Sequence, residues 1–184
     1  MKEATKKRLL QIARACVEAA VKRIPIPDFR ETDPELVAPR GAFVSLHNHG
    51  RLRGCIGHFE ADRPLYQTVA EMAVAAAVED YRFAADPITP EELPDLDIEI
   101  SVLSPLERIR NPLDIELGKH GIYIRRGGRA GCFLPQVATE TGWTKEEFLS
   151  HCCAGKAGLP ADAWKDPRTE VFVFTAEVFG EKGN

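Results

Sequence analysis

The sequence predicts an α+β protein with a largely antiparallel sheet flanked by helices. Two pairs of β-prone segments are separated by short Gly-containing stretches, a pattern typical of β-hairpins. Residues 96–103 alternate strictly between apolar and polar side chains, which indicates a strand with one buried face. The helical segments do not alternate with strands in a βαβ rhythm, so a parallel sheet is not favoured.

Two hairpins are expected in the chain. The first joins residues 41–46 to residues 51–58 through the polar break at 47–50, which we expect to contain a loop of three to five residues. The second joins 121–125 to 130–134 around Gly127-Gly128.

Three longer helices and a last strand complete the prediction. Residues 3–23 repeat apolar positions at helical spacing and form an amphipathic helix. Asp62 is expected to cap a second helix that ends near Glu79, and the capping box at Thr144 opens a third that ends near Gly158. Residues 25–39 are expected to be a surface loop, and 170–179 alternate as one strand.

The composition fits one domain over residues 1–184. Hydrophobic residues make up 44% of the 184-residue chain and charged residues 28%, and such a chain folds without disulfides or a metal. The net charge of −4 and the absence of a long basic run give no support to a nucleic-acid partner. No apolar run is long enough to span a membrane. Five cysteines without a framework spacing favour a reduced, cytoplasmic protein.

The segment Arg51–His58 concentrates the reactive side chains of the chain. Strand alternation puts Leu52, Gly54 and Ile56 on one face, while Arg53 and Cys55 share the other face with the second glycine of the segment, Gly57. A neighbouring cation favours the thiolate, so Arg53 is expected to activate Cys55. The alternative is a glycine-kinked core strand with one buried thiol.

Other residues are candidates to assist the thiol or to bind a substrate. His58, His120 and Glu99 are possible bases for Cys55, and sequence alone does not choose among them. Arg53 and Arg82 have the geometry to bind a carboxylate or phosphate, or else to form ion pairs with Asp80 or Glu99.

The two glycines of the segment weaken a regular strand. Gly54 and Gly57 therefore indicate a bulge, or a close approach by a ligand or by another stretch of backbone.

A metal site is weighed and not predicted. His47, His49, Cys55 and His58 have ligand-like spacing, but two of the histidines fall where an exposed hairpin turn is expected. Neighbouring Cys152 and Cys153 cannot both face one metal from a regular helix. We predict neither a metal nor a cofactor.

Six ordered segments together resemble the AMMECR domain family over nearly the whole chain. They are the strings LRGCIG at 52–57, DYRF at 80–83, LDIEISVLSP at 96–105, GKHG at 118–121, LPQVA at 134–138 and FTAEVF at 174–179. Ala84-Ala85 stands where the family usually has prolines, and we expect this difference to loosen that loop.

The resemblance implies an α+β fold of two unequal lobes with a cleft between them, the smaller lobe not being delimited by the sequence. It also implies that the protein is the A component of a three-part system. The other two components are a Memo-like protein and a radical S-adenosylmethionine enzyme. The family name carries no settled reaction.

Two functional hypotheses follow. In the first, the protein is an enzyme or an accessory subunit that acts on a small or peptide substrate through a reactive Cys55 with Arg53 as activator. Gly54 and Gly57 would then provide backbone access, and His58, Arg82 and Glu99 would bind the substrate. In the second, the protein is a non-catalytic adaptor whose signature strand is a docking surface for partner proteins.

Overall fold

The computed structural model describes residues 1–182, and within them the α+β class is confirmed. The helices are α1 (Glu3–Lys22), α2 (Pro34–Val37), α3 (Leu65–Val78), α4 (Pro135–Thr141) and α5 (Lys145–Gly155). The strands are β1 (Ala42–Asn48), β2 (Arg51–His58), β3 (Leu96–Leu103), β4 (Glu107–Ile109), β5 (Gly121–Arg126), β6 (Arg129–Phe133), β7 (Glu170–Phe174) and β8 (Ala176–Gly180). Short 3₁₀ turns lie at Tyr81–Phe83, Pro90–Asp95, Pro112–Asp114 and Ala163–Lys165.

The chain divides into two compact units, and each contains one four-stranded sheet. Within the described residues, the first unit comprises Met1–Leu103 and residues 177–182, and the second is Ser104–Ala176. The strand order is β2-β1-β3-β8 in the first sheet and β4-β7-β5-β6 in the second. Both hairpins are antiparallel, as expected, and the antiparallel character extends to the β1–β3, β5–β7 and β4–β7 pairs.

The first sheet packs one face against α1 and α3. Val44, Leu46, Ile98 and Ile100 on that face are fully buried and belong to the same hydrophobic core as the apolar stripe of α1. Alternation along β1 and β3 sends the intervening residues to the opposite face. The reactive segment Arg51–His58 is β2, which lies at an edge of this sheet.

The last predicted strand is in fact two strands in two sheets. The strand predicted over 170–179 is interrupted at Thr175, where the chain leaves β7 in the second sheet and enters β8 in the first. Thr175 is tied to Ser104, because its N–H donates to Ser104 Oγ at 2.8 Å and its carbonyl accepts from Ser104 N–H at 2.9 Å. Side-chain alternation continues through such a crossing, so it does not reveal the change of sheet.

Three local predictions are corrected. Asp62 does not cap α3, which begins after Pro64, because its carboxylate binds Arg63 and His58 instead. The loop over 25–39 contains the short helix α2, capped by Asp33. The first hairpin has a two-residue turn, shorter than expected, in which His49 and Gly50 adopt φ of 49° and 81°.

None of the helices within residues 1–182 is both long and apolar enough to cross a membrane.

Candidate functional site

A β-bulge in β2 changes which residues face one another around Cys55. Near the turn Leu52 pairs with His47, but beyond the bulge Gly54 pairs with Leu46 and Cys55 with Ser45. Arg53 is the extra residue between the two registers. The bulge predicted from Gly54 and Gly57 is present, and it ends the regular alternation that placed Arg53 beside Cys55.

Arg53 is buried in an ion-pair network on this bulge. Its Nε and Nη2 donate to the two carboxylate oxygens of Glu92 at 2.9 and 3.0 Å, and its Nη1 donates to Asp86 at 3.0 Å. Only 3% of the Arg53 side chain is exposed. The hydrogen bonds from Arg53 lower the pKa of Glu92 to about 2. The guanidinium is therefore engaged by two carboxylates, and this correction removes it as the activator expected for Cys55.

Asp80 and Arg82 cap the edge of β2 at Cys55. The Cys55 N–H donates to Asp80 Oδ2 at 3.0 Å, and Arg82 Nη2 donates to the Cys55 carbonyl at 3.2 Å. Arg82 also binds Asp80 through Nε and Nη2 at 2.9 and 2.6 Å, and these bonds lower the pKa of Asp80. Because β2 is an edge strand, the pair takes the place that a further strand would occupy.

Cys55 is a half-buried residue, and its thiol is more weakly acidic than that of a free cysteine. Burial raises its pKa, and two opposing influences reduce this effect without cancelling it. The Ser45 hydroxyl donates to Cys55 Sγ at 3.0 Å, and the positive charge of Arg82 favours the thiolate. The cation whose charge favours the Cys55 thiolate is thus Arg82.

Cys55 lies on the face of the first sheet that is turned away from the helices, which we call the Cys55 face. Strand register places eight side chains or glycines on it: Phe43, Ser45, His47, Cys55, Gly57, Asp97, Glu99 and Ser101. Cys55, Ser45 and Glu99 form one row across β2, β1 and β3. The negative charge of Glu99 acts on the thiol and raises its pKa. The structure therefore brings Cys55, Glu99 and Arg82 together.

The two glycines of the segment serve close packing. A Cβ on Gly54 would lie 2.0 Å from the Ala76 carbonyl oxygen of α3, and one on Gly57 would lie 2.2 Å from the Phe43 ring. The close approach expected at these positions is made by another backbone at Gly54 and by a side chain at Gly57. Packing against α3 and against the Phe43 ring thus explains why both positions lack a Cβ, and backbone access for a substrate stays a prediction.

The two candidate histidines have other contacts. His58 pairs with Ala42, on the helix-facing side of the sheet and not on the Cys55 face, and its Nε2 lies 3.1 Å from Asp62. His120 Nδ1 accepts the Glu116 N–H at 3.1 Å. These contacts do not place either histidine next to Cys55.

One cluster has the composition of a metal site. His58, Glu60 and Asp62 place ligand atoms within 4.8 Å of one another at the surface, but the Asp62 carboxylate already binds Arg63.

Four residues of this region were not singled out as site residues from the sequence. Ser45 contacts the thiol, Asp80 holds its backbone, and Asp86 and Glu92 bind Arg53. A two-residue turn without a bulge would place Val44 opposite Cys55, so no sequence signal identified Ser45. Asp80 was considered only as an ion-pair partner of Arg82, and that pair is present.

Known proteins are similar to this chain over nearly its whole length. The AMMECR1 family model matches residues 10–179. A protein of Methanothermobacter thermautotrophicus is 44% identical over 95% of this chain and 93% of its own length, and one of Thermococcus kodakarensis is 43% identical over 95% and 89%. The crystal structure of an uncharacterized protein from Pyrococcus horikoshii matches with a TM-score of 0.88 at 38% identity, over 100% of this chain and 94% of that one.

The matched region contains the β2 bulge, Cys55 and the Asp80–Arg82 pair, and the similarity reaches from α1 to β8. The family resemblance drawn from six short strings is thereby confirmed: this chain belongs to the AMMECR1 family.

Proposed function

We propose that the protein binds a small or peptide substrate on the Cys55 face and that Cys55 is its reacting thiol, in an enzyme or an accessory subunit of one. The observation that carries this proposal is the half-buried Cys55 in a row with Ser45 and Glu99. Asp97 on the same face supports it, since its Oδ1 is buried and has no hydrogen-bond partner within residues 1–182. Buried polar atoms normally have partners, and a bound ligand would supply one.

The raised pKa of Cys55 sets the order of events. The thiol is protonated at neutral pH, so a base has to remove its proton when the substrate is bound. Glu99 is the candidate base. Sulfur then bonds to a carbonyl carbon of the substrate, the carbonyl π pair moves to its oxygen, and the thiol proton passes to the Glu99 carboxylate. Arg82 is placed to bind an anionic substrate group.

The partners are proposed from the family resemblance. A Memo-like protein and a radical S-adenosylmethionine enzyme act with this chain in the cytoplasm. Co-purification of tagged wild-type protein with either partner from cells that contain all three would support this, and recovery of neither would contradict it.

Alkylation of the native protein tests the role of the sulfur. Iodoacetamide should label Cys55 before the fully buried Cys16 and Cys152, with peptide mapping as the readout. Ser45→Ala should slow labelling of Cys55 roughly 3- to 10-fold, because it removes one hydrogen bond that favours the thiolate. Cys55 that stays unlabelled until the protein unfolds would end the proposal.

A second candidate, the non-catalytic adaptor, is favoured by a different observation. Arg53, Gly54 and Gly57 all have structural contacts, and burial holds the Cys55 thiol in its protonated form. In this case the segment shapes a docking surface and its sulfur is dispensable. A Cys55→Ser variant that keeps partner binding and cellular function favours the adaptor, whereas one that keeps partner binding and loses function favours the reacting thiol.

A further inference from the structure

The second unit contains a pocket that shares no residue with the Cys55 face. It has a volume of about 580 Å³ and lies between the end of β4 and the segment that leads into β7. This volume is in the range of small-molecule sites. Its apolar wall includes the Trp164 ring, so we call it the Trp164 pocket.

Thr169 gives the first indication that the pocket is a binding site. This residue lines the pocket and is only 7% exposed, and its Oγ1 has no hydrogen-bond partner in the described part of the chain. A buried hydroxyl without a partner is unfavourable, and most native examples are satisfied by a bound molecule or water. The Trp164 pocket is where such a partner has room to bind.

The charges of the pocket lining give the second indication. Arg108 and Arg110 are exposed, and neither forms an ion pair with any residue from 1 to 182. The charge of Arg108 acts on Glu170, but that carboxylate is already bound by Arg125. Lys165 adds a third cation and lies with its Nζ 5.2 Å from the Trp164 ring centroid. The pocket also contains a carboxylate, Asp166, but this group is already bound by two other arginines, Arg126 and Arg168. The charge on the pocket lining that no other side chain neutralises is therefore positive.

The shape of the apolar wall limits the kind of anion. Trp164 is held in place because its Nε1 donates to Ser150 Oγ at 3.0 Å, and Ile109 and Pro167 line the pocket beside it. A rigid indole and short aliphatic side chains suit a flat apolar group. Unpaired arginines on a strand edge suit a planar or tetrahedral anion, which a guanidinium binds through two hydrogen bonds.

We propose that the Trp164 pocket binds a small organic anion, a carboxylate or phosphate attached to a flat apolar group. Arg108 and Arg110 hold the anion, the hydroxyl of Thr169 gains its missing partner, and the apolar group lies against Trp164. This site is independent of the function proposed for Cys55.

The test uses phenyl phosphate and benzoate as probes and benzyl alcohol as the uncharged control, titrated into the full chain. Chemical shifts of the Trp164 indole N–H and the Thr169 amide are the readout. Both anions should shift these signals with saturation, and benzyl alcohol should bind at least about 10-fold more weakly, because it lacks charge-assisted hydrogen bonds. The ratio of the two anion affinities identifies the preferred group. Equal binding of benzyl alcohol, or no saturable shift, would overturn the proposal.

Variants separate the site from general charge effects. Arg108→Gln and Arg110→Gln should each weaken binding about 10-fold or more, and both side chains are exposed, so the fold should persist. Arg30→Gln makes the same change at a residue whose side chain is 92% exposed and should leave binding unchanged. Thr169→Val should weaken binding roughly 3- to 10-fold without lowering Tm. Equal loss in Arg30→Gln would contradict the site.

Discussion

The burial of Arg53 in its strand depends on the charged residues around it. Its guanidinium is buried with only 3% of the side chain exposed, and burial of an unpaired charge is strongly unfavourable. Glu92 and Asp86 supply the opposite charges, and Asn48 completes the site by donating to the same Glu92 oxygen at 3.0 Å. The network therefore fixes the bulge in β2 and, through it, the register at Cys55.

The first prediction concerns this buried pair. Arg53→Met should lower the free energy of unfolding by about 3 kcal/mol, because it leaves Glu92 without its partner in a partly buried site. Arg51→Met is the matched control: Arg51 binds Asp86 with 69% of its side chain exposed and should cost less than about 1 kcal/mol. Urea unfolding measures both values. Equal losses would show that the network does not stabilise the bulge.

The second prediction is the pH dependence of the same contact. The pKa of Glu92 is about 2 in the folded chain against an ordinary value of 4.5, so its contribution to stability is fully present above pH 4.5 and is lost as the pH falls toward about 2. Urea unfolding across this interval should show a smaller decline for Glu92→Gln than for the wild type. Glu91→Gln on the same turn should keep the wild-type decline.

At the scale of the element, β2 is an edge strand placed close to α3. Edge strands are usually protected from pairing with other chains, and here the Asp80–Arg82 pair binds the Cys55 backbone. On the helix-facing side, Gly54 allows the strand to approach the Ala76 carbonyl of α3. The position of Cys55 therefore depends on two contacts of β2, one with the Asp80–Arg82 pair at the sheet edge and one with the backbone of α3.

The third prediction tests the close approach. Gly54→Ala should lower the free energy of unfolding by about 3 kcal/mol, because the new methyl group would lie 2.0 Å from the Ala76 oxygen and force the helix and strand apart. Gly128→Ala is the control, since no atom lies within 4 Å of its added Cβ, and should change stability by less than about 0.5 kcal/mol. A neutral Gly54→Ala would show that the packing is loose.

At the scale of the whole molecule, each unit has its own hydrophobic core. The core of the first unit includes residues of α1, α3, β1 and β3, and that of the second unites residues of β5, β7 and α5. The fully buried Cys152 and Cys153 on α5 belong to the second core, where burial raises the pKa of both thiols. Both cysteines are therefore packing residues of this core.

The fourth prediction measures the second core. Leu149→Ala should lower the free energy of unfolding by about 2–5 kcal/mol, because the Leu149 side chain is 0% exposed and its truncation leaves a cavity. Leu117→Ala, which makes the same change at a residue that is 39% exposed, should cost less than about 1 kcal/mol. Tryptophan fluorescence during urea unfolding reports on this unit, since both tryptophans lie in it. Similar costs would contradict the assigned core.

The local patterns of the chain determined the α+β class, both hairpins, α1 and the capped start of α5. Periodicity and capping act within a few residues, so they are legible without knowledge of distant contacts. The six short strings identified the family because each of them also lies within a few consecutive residues.

Only the tertiary structure decided the neighbours of Cys55. The bulge at Arg53 depends on Glu92 and Asp86, which lie more than thirty positions along the chain, and it moved Ser45 opposite the thiol. Arg82, and not the adjacent Arg53, became the cation that acts on Cys55. The strand register here is set by the long-range ion pairs of Arg53 and by the close approach of β2 to α3. Side-chain alternation in the sequence does not predict either contact.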